Sequence, residues 1–305
     1  MATENAQHIQ TDAFPRMVIL EYSYVCNALC PACPYNYSGI RSAFSDTPFM
    51  RPDVFMRIVN ECKKKDTLIR ITGCGEPSLH PRLVADVAYA KQQGCKVALI
   101  TNGTIKRKTL RAILEARIDA VEFSVDAGTR EDYARVRPGL DWFALVAKVT
   151  ATVHDKGTGT RVIVSAVEQQ GINIDAVKRF WVDRKVDHVQ IRRYLRWDAG
   201  PDKSANKKPL LEKDAPCPSV FQRTSISPRG DVSYCNEDSW FKHTVGNVLT
   251  SSISAIWKSP QMKNIRNAIR HKDYAKTPMC MECRDRHYKS WGHDYFIMTG
   301  GDNER

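Results

Sequence analysis

The residues of this 305-residue chain best suited to chemistry are its cysteines, and seven of the ten fall into two sets. The first is Cys26-Asn-Ala-Leu-Cys30-Pro-Ala-Cys33, a C-x3-C-x2-C run. Cysteine thiolates are the usual ligands of iron–sulfur clusters. Three on one loop can bind three irons of a cubane and leave the fourth iron open to an outside ligand, to which it can pass an electron. A zinc site would want four ligands, and this loop does not supply a fourth. The second set is Cys217, Cys235, Cys280 and Cys283, the last two forming a C-x2-C pair. Four thiolates complete either a cubane or a tetrahedral zinc site, so the residues alone leave both metals open. Of the remaining three, Cys62 lies on the apolar face of a helical stretch and Cys95 begins a strand, and both read as core. Cys74 sits among glycines at a strand end, where a thiol could donate a hydrogen atom.

Composition bounds what surrounds these sets. Hydrophobic residues at 42% and charged residues at 26% are ordinary for a soluble globular protein. No apolar run approaches the roughly 20 residues of a membrane span, and the polar Met1–Asp12 stretch lacks a signal-peptide core. A cytoplasmic protein without membrane contact is expected, where clustered cysteines hold metal rather than disulfides. The net charge of +12 admits a nucleic-acid partner, an anionic substrate or an acidic redox partner. The lysines and arginines are scattered, which favours a solvated surface, and a nucleic-acid partner is not expected.

The elements that must position the cysteines alternate regularly. Strands are predicted over Met17–Tyr24, Leu68–Thr72, Lys96–Thr101, Ala120–Val125, Arg161–Val167 and His188–Arg193. Helices are predicted over Pro52–Lys65, Pro81–Gln93, Arg107–Ala116, Thr129–Arg137, Trp142–His154 and Ile174–Asp183. This is the α/β pattern of a parallel sheet. Six units are too few for an eight-stranded barrel, so an open, partial (β/α)6 barrel is expected, with its active site at the carboxyl ends of the strands. Cys26, Gly73–Glu76, Asn102–Gly103 and Ser124–Asp126 all fall at or just past those ends. Beyond them, Trp197–Pro216 reads as a linker, Thr224–Ser227 and Val232–Cys235 as a hairpin, and Ile253–His271 as one helix. The expected division is a barrel over 14–195, a linker over 196–216, a small C-terminal module over 217–290 and a tail over 291–305.

The order of these motifs resembles the radical S-adenosylmethionine (SAM) superfamily. C-x3-C-x2-C follows the first strand, and Gly73-Cys-Gly75-Glu76 resembles that family's Gly-Gly-Glu motif, which contacts the amino group of SAM's methionine moiety. Thr101-Asn102-Gly103 and Ser124-Val-Asp126 resemble the third- and fourth-strand elements, the latter lying near SAM's ribose and carboxylate in relatives. The resemblance implies that Cys26, Cys30 and Cys33 hold a [4Fe–4S] cluster. It implies that Gly73, Gly75, Glu76, Asn102, Ser124 and Asp126 contact SAM, and Tyr35 is a further candidate for packing near the adenine. The hairpin, Gly246-Asn247-Val248 and the final cysteine pair resemble the auxiliary-cluster module of the SPASM/twitch enzymes. Cys217, Cys235, Cys280 and Cys283 would then ligate one auxiliary [4Fe–4S] cluster, as in the shorter twitch version. The spacing is similar to that of the 2-deoxy-scyllo-inosamine dehydrogenases.

The implied chemistry is reductive cleavage of SAM to a 5′-deoxyadenosyl radical, which abstracts a substrate hydrogen. The expected outcome is oxidation of an alcohol carbon of a small polar metabolite (an aminocyclitol, sugar or nucleoside), with the auxiliary cluster as electron acceptor. The alternatives are a peptide- or protein-modifying maturase and a redox-neutral epimerase or decarboxylase, for which Cys74 would supply the hydrogen. A flavodoxin- or ferredoxin-type reductant is implied. Arg192 and Arg193 end the sixth strand, where one could point inward and hold an anionic group, and His287 and His293 read as surface.

Overall fold

A computed structural model of the chain describes residues 13–36, 39–192, 216–281, 283, 286 and 297–300. Its elements run β1 (Met17–Glu21), α1 (Ile40–Ala43), α2 (Pro52–Cys62), β2 (Leu68–Thr72), α3 (Leu83–Gln92), β3 (Lys96–Thr101), α4 (Arg107–Glu115) and β4 (Ala120–Ser124). There follow α5 (Arg130–Val136), α6 (Trp142–Asp155), β5 (Arg161–Val167), α7 (Ile174–Val182) and β6 (His188–Arg192). The C-terminal part contributes α8 (Ser219–Gln222), β7 (Arg223–Ile226), β8 (Asp231–Ser233), β9 (Thr244–Asn247), α9 (Ile253–Trp257), α10 (Pro260–Arg270) and α11 (Pro278–Met281).

Strands β1 to β6 lie side by side in chain order, each parallel to the next, as a series of βα units requires. Alternate residues divide between two faces. Val18, Leu20, Ile69, Ile71, Val97, Leu99, Val121, Phe123, Val162 and Val164 point outward into one large core shared with the helices. Met17, Ile19, Leu68, Ala98, Ile100, Ala120 and Ile163 point inward and form a separate small cluster with Ile297 and Met298. Arg161 at the start of β5 donates from Nε to the Ile297 carbonyl (2.8 Å), which fastens this C-terminal turn at the amino ends of the strands. The barrel therefore has an apolar floor.

Capping residues set where the helices begin. Thr129, Asp141 and Asn173 each accept a backbone N–H three residues on, opening α5, α6 and α7. Pro52 stands in the first turn of α2, where its missing N–H costs nothing.

Three features differ from the sequence expectation. Ile253–His271 is two helices, because Pro260 cannot continue α9 and Ser259 caps a new helix by accepting from Met262 N–H. The hairpin gains a third strand, β9, too short and too polar to show periodicity. Strand β7 also pairs in parallel with β1 (Ile19 opposite Ser225), so one nine-stranded sheet runs β6-β5-β4-β3-β2-β1-β7-β8-β9. Most of the expected linker, Arg193, His287 and His293 lie outside the described residues.

Candidate functional site

The three cysteines of the first set ride on the loop that leaves β1. Its backbone turns tightly: Cys33 N–H donates to the Cys30 carbonyl (3.0 Å) and Asn36 Nδ2 to the same oxygen (3.0 Å). Burial raises all three thiols, that of Cys33 to about 12, and the sulfurs disfavour one another's ionisation. Two donors favour the thiolate form: Ala28 N–H reaches Cys26 Sγ (3.4 Å) and Arg137 Nη1 reaches Cys30 Sγ (3.8 Å). Half-buried thiols with mutual repulsion and positive neighbours suit a group that takes three thiolates at once.

Beside this loop runs Gly73–Glu76, which continues β2 past its last ladder residue. Gly75 N–H donates to the Ser23 carbonyl (2.8 Å) and Glu76 N–H to the Val25 carbonyl (2.7 Å), so the loop lies flat against the chain entering Cys26. A side chain would not fit there. A Cβ on Gly73 would stand 2.6 Å from the Ser23 oxygen, and one on Gly75 would stand 2.4 Å from the Val25 oxygen. Glu76 is buried and accepts from Ser78 N–H (2.9 Å), Thr101 Oγ1 (2.7 Å) and Asn102 N–H (2.6 Å). A carboxylate has about four acceptor positions, and three donors occupy this one. Asn102 reaches back to the cysteine loop, its Nδ2 donating to Asn27 Oδ1 (3.0 Å). Glu76, Asn102 and the first cysteine loop thus form one hydrogen-bonded unit.

Asp126 follows Ser124 with a left-handed backbone (φ 64°). It accepts from Arg137 Nε (3.1 Å) and Nη2 (2.7 Å), and from Val167 N–H (2.9 Å). Arg137, which bridges Asp126 to Cys30, was not expected from the sequence. Its only signal was a basic residue shortly after the Ser124-Val-Asp126 element.

Tyr35 packs with Tyr24, Ile40, Phe44 and Phe241 in a small apolar cluster, against which Cys26, Cys33 and Cys74 also lean. Cys74 N–H donates to Glu21 Oε2 (2.8 Å), and its thiol sits between Glu21 and Ser239. Burial and the charge of Glu21 push that thiol well up. Cys62 and Cys95 are core residues.

Below the motif loops, the inner face of the sheet is charged, which sequence periodicity did not reveal. Glu21, Arg70, Glu122 and Arg192, on β1, β2, β4 and β6, share this face by register. Arg192 points inward and grips Glu122 with both terminal nitrogens, Nη2 to Oε2 at 3.0 Å, while Arg70 lies 3.5 Å from the same oxygen. Burial raises the Glu122 carboxyl, but Arg192 and Arg70 outweigh it and hold it below the usual range. Burial pushes Glu21 up to about 7, against the Cys74 N–H that pulls it down. Gln190 Oε1 and Ser225 Oγ, buried on the same face, have no hydrogen-bond partner among the described residues.

In the second set, burial pushes the Cys280 thiol up to about 12, and the neighbouring Cys217 and Cys283 add to the shift. The Tyr234 hydroxyl hydrogen-bonds Cys280, and Cys235, the next residue, is buried at the end of the hairpin. Among the described residues, no three His, Cys, Asp or Glu side chains converge on a point for a single ion. Cubane ligands each bind a different iron, so the two cysteine sets need no such point. Both donor sets fit iron–sulfur clusters.

The family model described as the radical SAM superfamily matches residues 20–176, and that of an iron–sulfur cluster-binding domain, SPASM, matches residues 217–284. The tungsten-containing aldehyde ferredoxin oxidoreductase cofactor-modifying protein of Pyrococcus furiosus is 30% identical over 114 residues, 36% of this chain and 31% of that protein. The chain spans about a third to a half of the length of the curated relatives it matches. Streptococcus suis SuiB bound to its precursor peptide SuiA shares the fold with a TM-score of 0.66 at 15% identity, covering 84% of this chain and 67% of that one. BtrN in complex with AdoMet and 2-DOIA gives a TM-score of 0.56 at 17% identity, covering 90% and 94%. Among the described residues, no helix is long and apolar enough to cross a membrane.

Proposed function

The chain belongs to the radical SAM superfamily and carries a SPASM domain, and from that premise we propose that it oxidises an alcohol carbon of a small polar metabolite. When bound, the three-cysteine cluster and SAM supply a hydrogen-abstracting radical, and the auxiliary cluster supplies an electron acceptor. Cys26, Cys30 and Cys33 would hold the first group, and Cys217, Cys235, Cys280 and Cys283 the second.

The observation that carries the reading is the charged inner face. Glu21, Arg70, Glu122 and Arg192 line the barrel below the SAM motifs, with the unpaired Gln190 Oε1 and Ser225 Oγ beside them. An apolar substrate would leave Gln190 Oε1 and Ser225 Oγ unsatisfied, whereas a polyhydroxylated or amino-bearing one supplies partners. Oxidation of an alcohol also needs a proton acceptor. Glu21 stands at the carboxyl end of β1, next to the SAM loop, with a carboxyl raised to about 7, and it takes the hydroxyl proton. Glu76 and Asn102 orient the SAM amino acid, and Arg137, anchored by Asp126, keeps positive charge beside Cys30. The near end-to-end match to BtrN, crystallised with AdoMet and 2-DOIA, supports a compact substrate.

Peptide modification is the second reading. It is favoured by the likeness to SuiB, whose structure is bound to a precursor peptide. Reduced, reconstituted protein should be incubated with SAM and a panel of aminocyclitols, amino sugars, nucleosides and peptides in deuterated water. A product lighter by two hydrogens is expected, with one 5′-deoxyadenosine formed per product. Deuterium gained at carbon would instead establish epimerisation with Cys74 as the candidate donor, and turnover of peptides alone would favour the second reading.

A further inference from the structure

We propose that Leu29, Lys106, Arg107 and Lys108 form the docking surface for an acidic protein that donates single electrons to the three-cysteine cluster. The proposal rests on membership of the radical SAM family, not on the substrate. One electron leaves the donor and reduces the cluster by one; no bond forms or breaks on this chain.

Leu29 lies between Cys26 and Cys30, and its side chain is 61% exposed. A large apolar side chain at the middle of a metal-binding loop gains nothing from water. It does not wave freely either, because the loop is tied down on both sides of it. Asn27 Nδ2 donates to Thr104 Oγ1 (3.0 Å), and Asn36 Nδ2 holds the Cys30 carbonyl. The Asn27 tie joins the cysteine loop to the segment that opens α4.

That segment continues as Lys106, Arg107 and Lys108, all exposed. Among the described residues none of the three enters an ion pair. Arg111, the next cation, is already matched by Glu115 (3.0 Å). The first turn of α4 contains no acidic residue, so three cations crowd the end of a helix whose dipole is already positive. This arrangement lowers helix stability and adds to the local positive field. Residues placed against local stability mark function more often than chance. The field lies next to the loop through which an electron must enter, and it would steer an acidic partner onto Leu29.

The test uses anaerobically reconstituted holoenzyme and reduced flavodoxin as the donor. Three quantities are read: the rate of cluster bleaching in a stopped-flow mixer, the affinity for oxidised flavodoxin, and 5′-deoxyadenosine formed with dithionite instead. Lys106→Glu/Arg107→Glu/Lys108→Glu should slow reduction by flavodoxin at least tenfold and weaken its binding, and Leu29→Ser should weaken it further. Dithionite-driven cleavage of SAM should stay within twofold of wild type, which shows that the cluster site is intact. A control with the same charge change elsewhere, Lys178→Glu/Lys258→Glu/Lys263→Glu, should behave as wild type at 150 mM salt.

Unchanged reduction by flavodoxin in the first triple variant overturns the proposal, as does equal slowing in the control, which would mean net charge alone. If a single-stranded oligonucleotide binds instead and the first triple variant abolishes that binding, the surface serves nucleic acid and the proposal fails. Absence of 5′-deoxyadenosine even with dithionite would mark failure of the family chemistry itself, a distinct result.

Discussion

Glu21 and Glu76 are two buried carboxyls whose surroundings differ: three donors hold Glu76, whereas one backbone N–H reaches Glu21. Glu76 accepts from three donors, so Glu76→Ala strands Ser78 N–H, Thr101 Oγ1 and Asn102 N–H and should cost about 2–4 kcal/mol of stability. Glu76→Gln keeps the shape and should cost less. It should nonetheless weaken SAM binding about tenfold or more by removing the charge that faces the ammonium, and equilibrium dialysis that finds unchanged affinity would remove Glu76 from the site. Glu21 holds its proton to about pH 7, whereas in the unfolded chain it ionises near its ordinary 4.5. Between those values the unfolded state binds fewer protons, so this group's stabilising effect is present below pH 4.5 and is lost as pH rises through 7. The loss is about 3 kcal/mol at about 1.36 kcal/mol per unit. The melting temperature of wild type should therefore fall relative to Glu21→Gln between pH 5 and 7.5. Product formation should change the other way, rising through pH 7 in wild type as Glu21 becomes a base, and staying low in Glu21→Gln while SAM cleavage continues.

At the scale of elements, the loop after β2 does the positioning. Its two glycines let backbone lie on backbone, and backbone cannot move aside as a side chain can. Gly75→Ala drives a Cβ to within 2.4 Å of the Val25 oxygen and 2.7 Å of its nitrogen, so the loop must lift from the entrance to the cysteine run. A cost of about 1–3 kcal/mol is expected, together with loss of SAM binding in the same dialysis measurement. Gly157→Ala, at a position open to solvent, should leave both unchanged. The break between α9 and α10 has a similarly local cause. Ser259→Ala removes the cap that Met262 N–H relies on and should cost about 0.5–2 kcal/mol by denaturant titration.

For the whole molecule, the sheet is the unit of construction. The segments carrying both cysteine sets hang from it, because β7 lies on β1 and β8 leads directly to Cys235. Holoprotein should contain about eight irons, and the Cys26→Ala/Cys30→Ala/Cys33→Ala variant about four. Zinc in place of the remaining iron would contradict an auxiliary cluster. The floor of the barrel is the other whole-molecule feature. Met298 is buried among strand residues from Met17 to Ile163, all far earlier in the chain, and Met298→Ala should cost about 2–5 kcal/mol in thermal or denaturant unfolding.

Much of this architecture was legible in the sequence, because period-2 apolar runs and capped amphipathic helices are local properties. The bounds of β2, β3 and β5 coincide with the predicted runs. Ile253–His271 was misread only because helical periodicity carries across Ser259-Pro260, where the backbone cannot. What depended on tertiary structure were contacts between residues far apart in the chain. Arg192 could have been a solvated strand end, and only the curvature of the sheet brings it to Glu122, seventy positions earlier. Glu21 closes a run of apolar residues and carries no motif; its raised carboxyl comes from burial beside a loop more than fifty residues on. Whether β7 would extend the barrel sheet or stand apart was equally open, since edge pairing depends on which strand edge remains exposed once the helices have packed. Local chemistry chose the elements and the cysteine spacing, and the folding of the sheet decided which charges share its inner face.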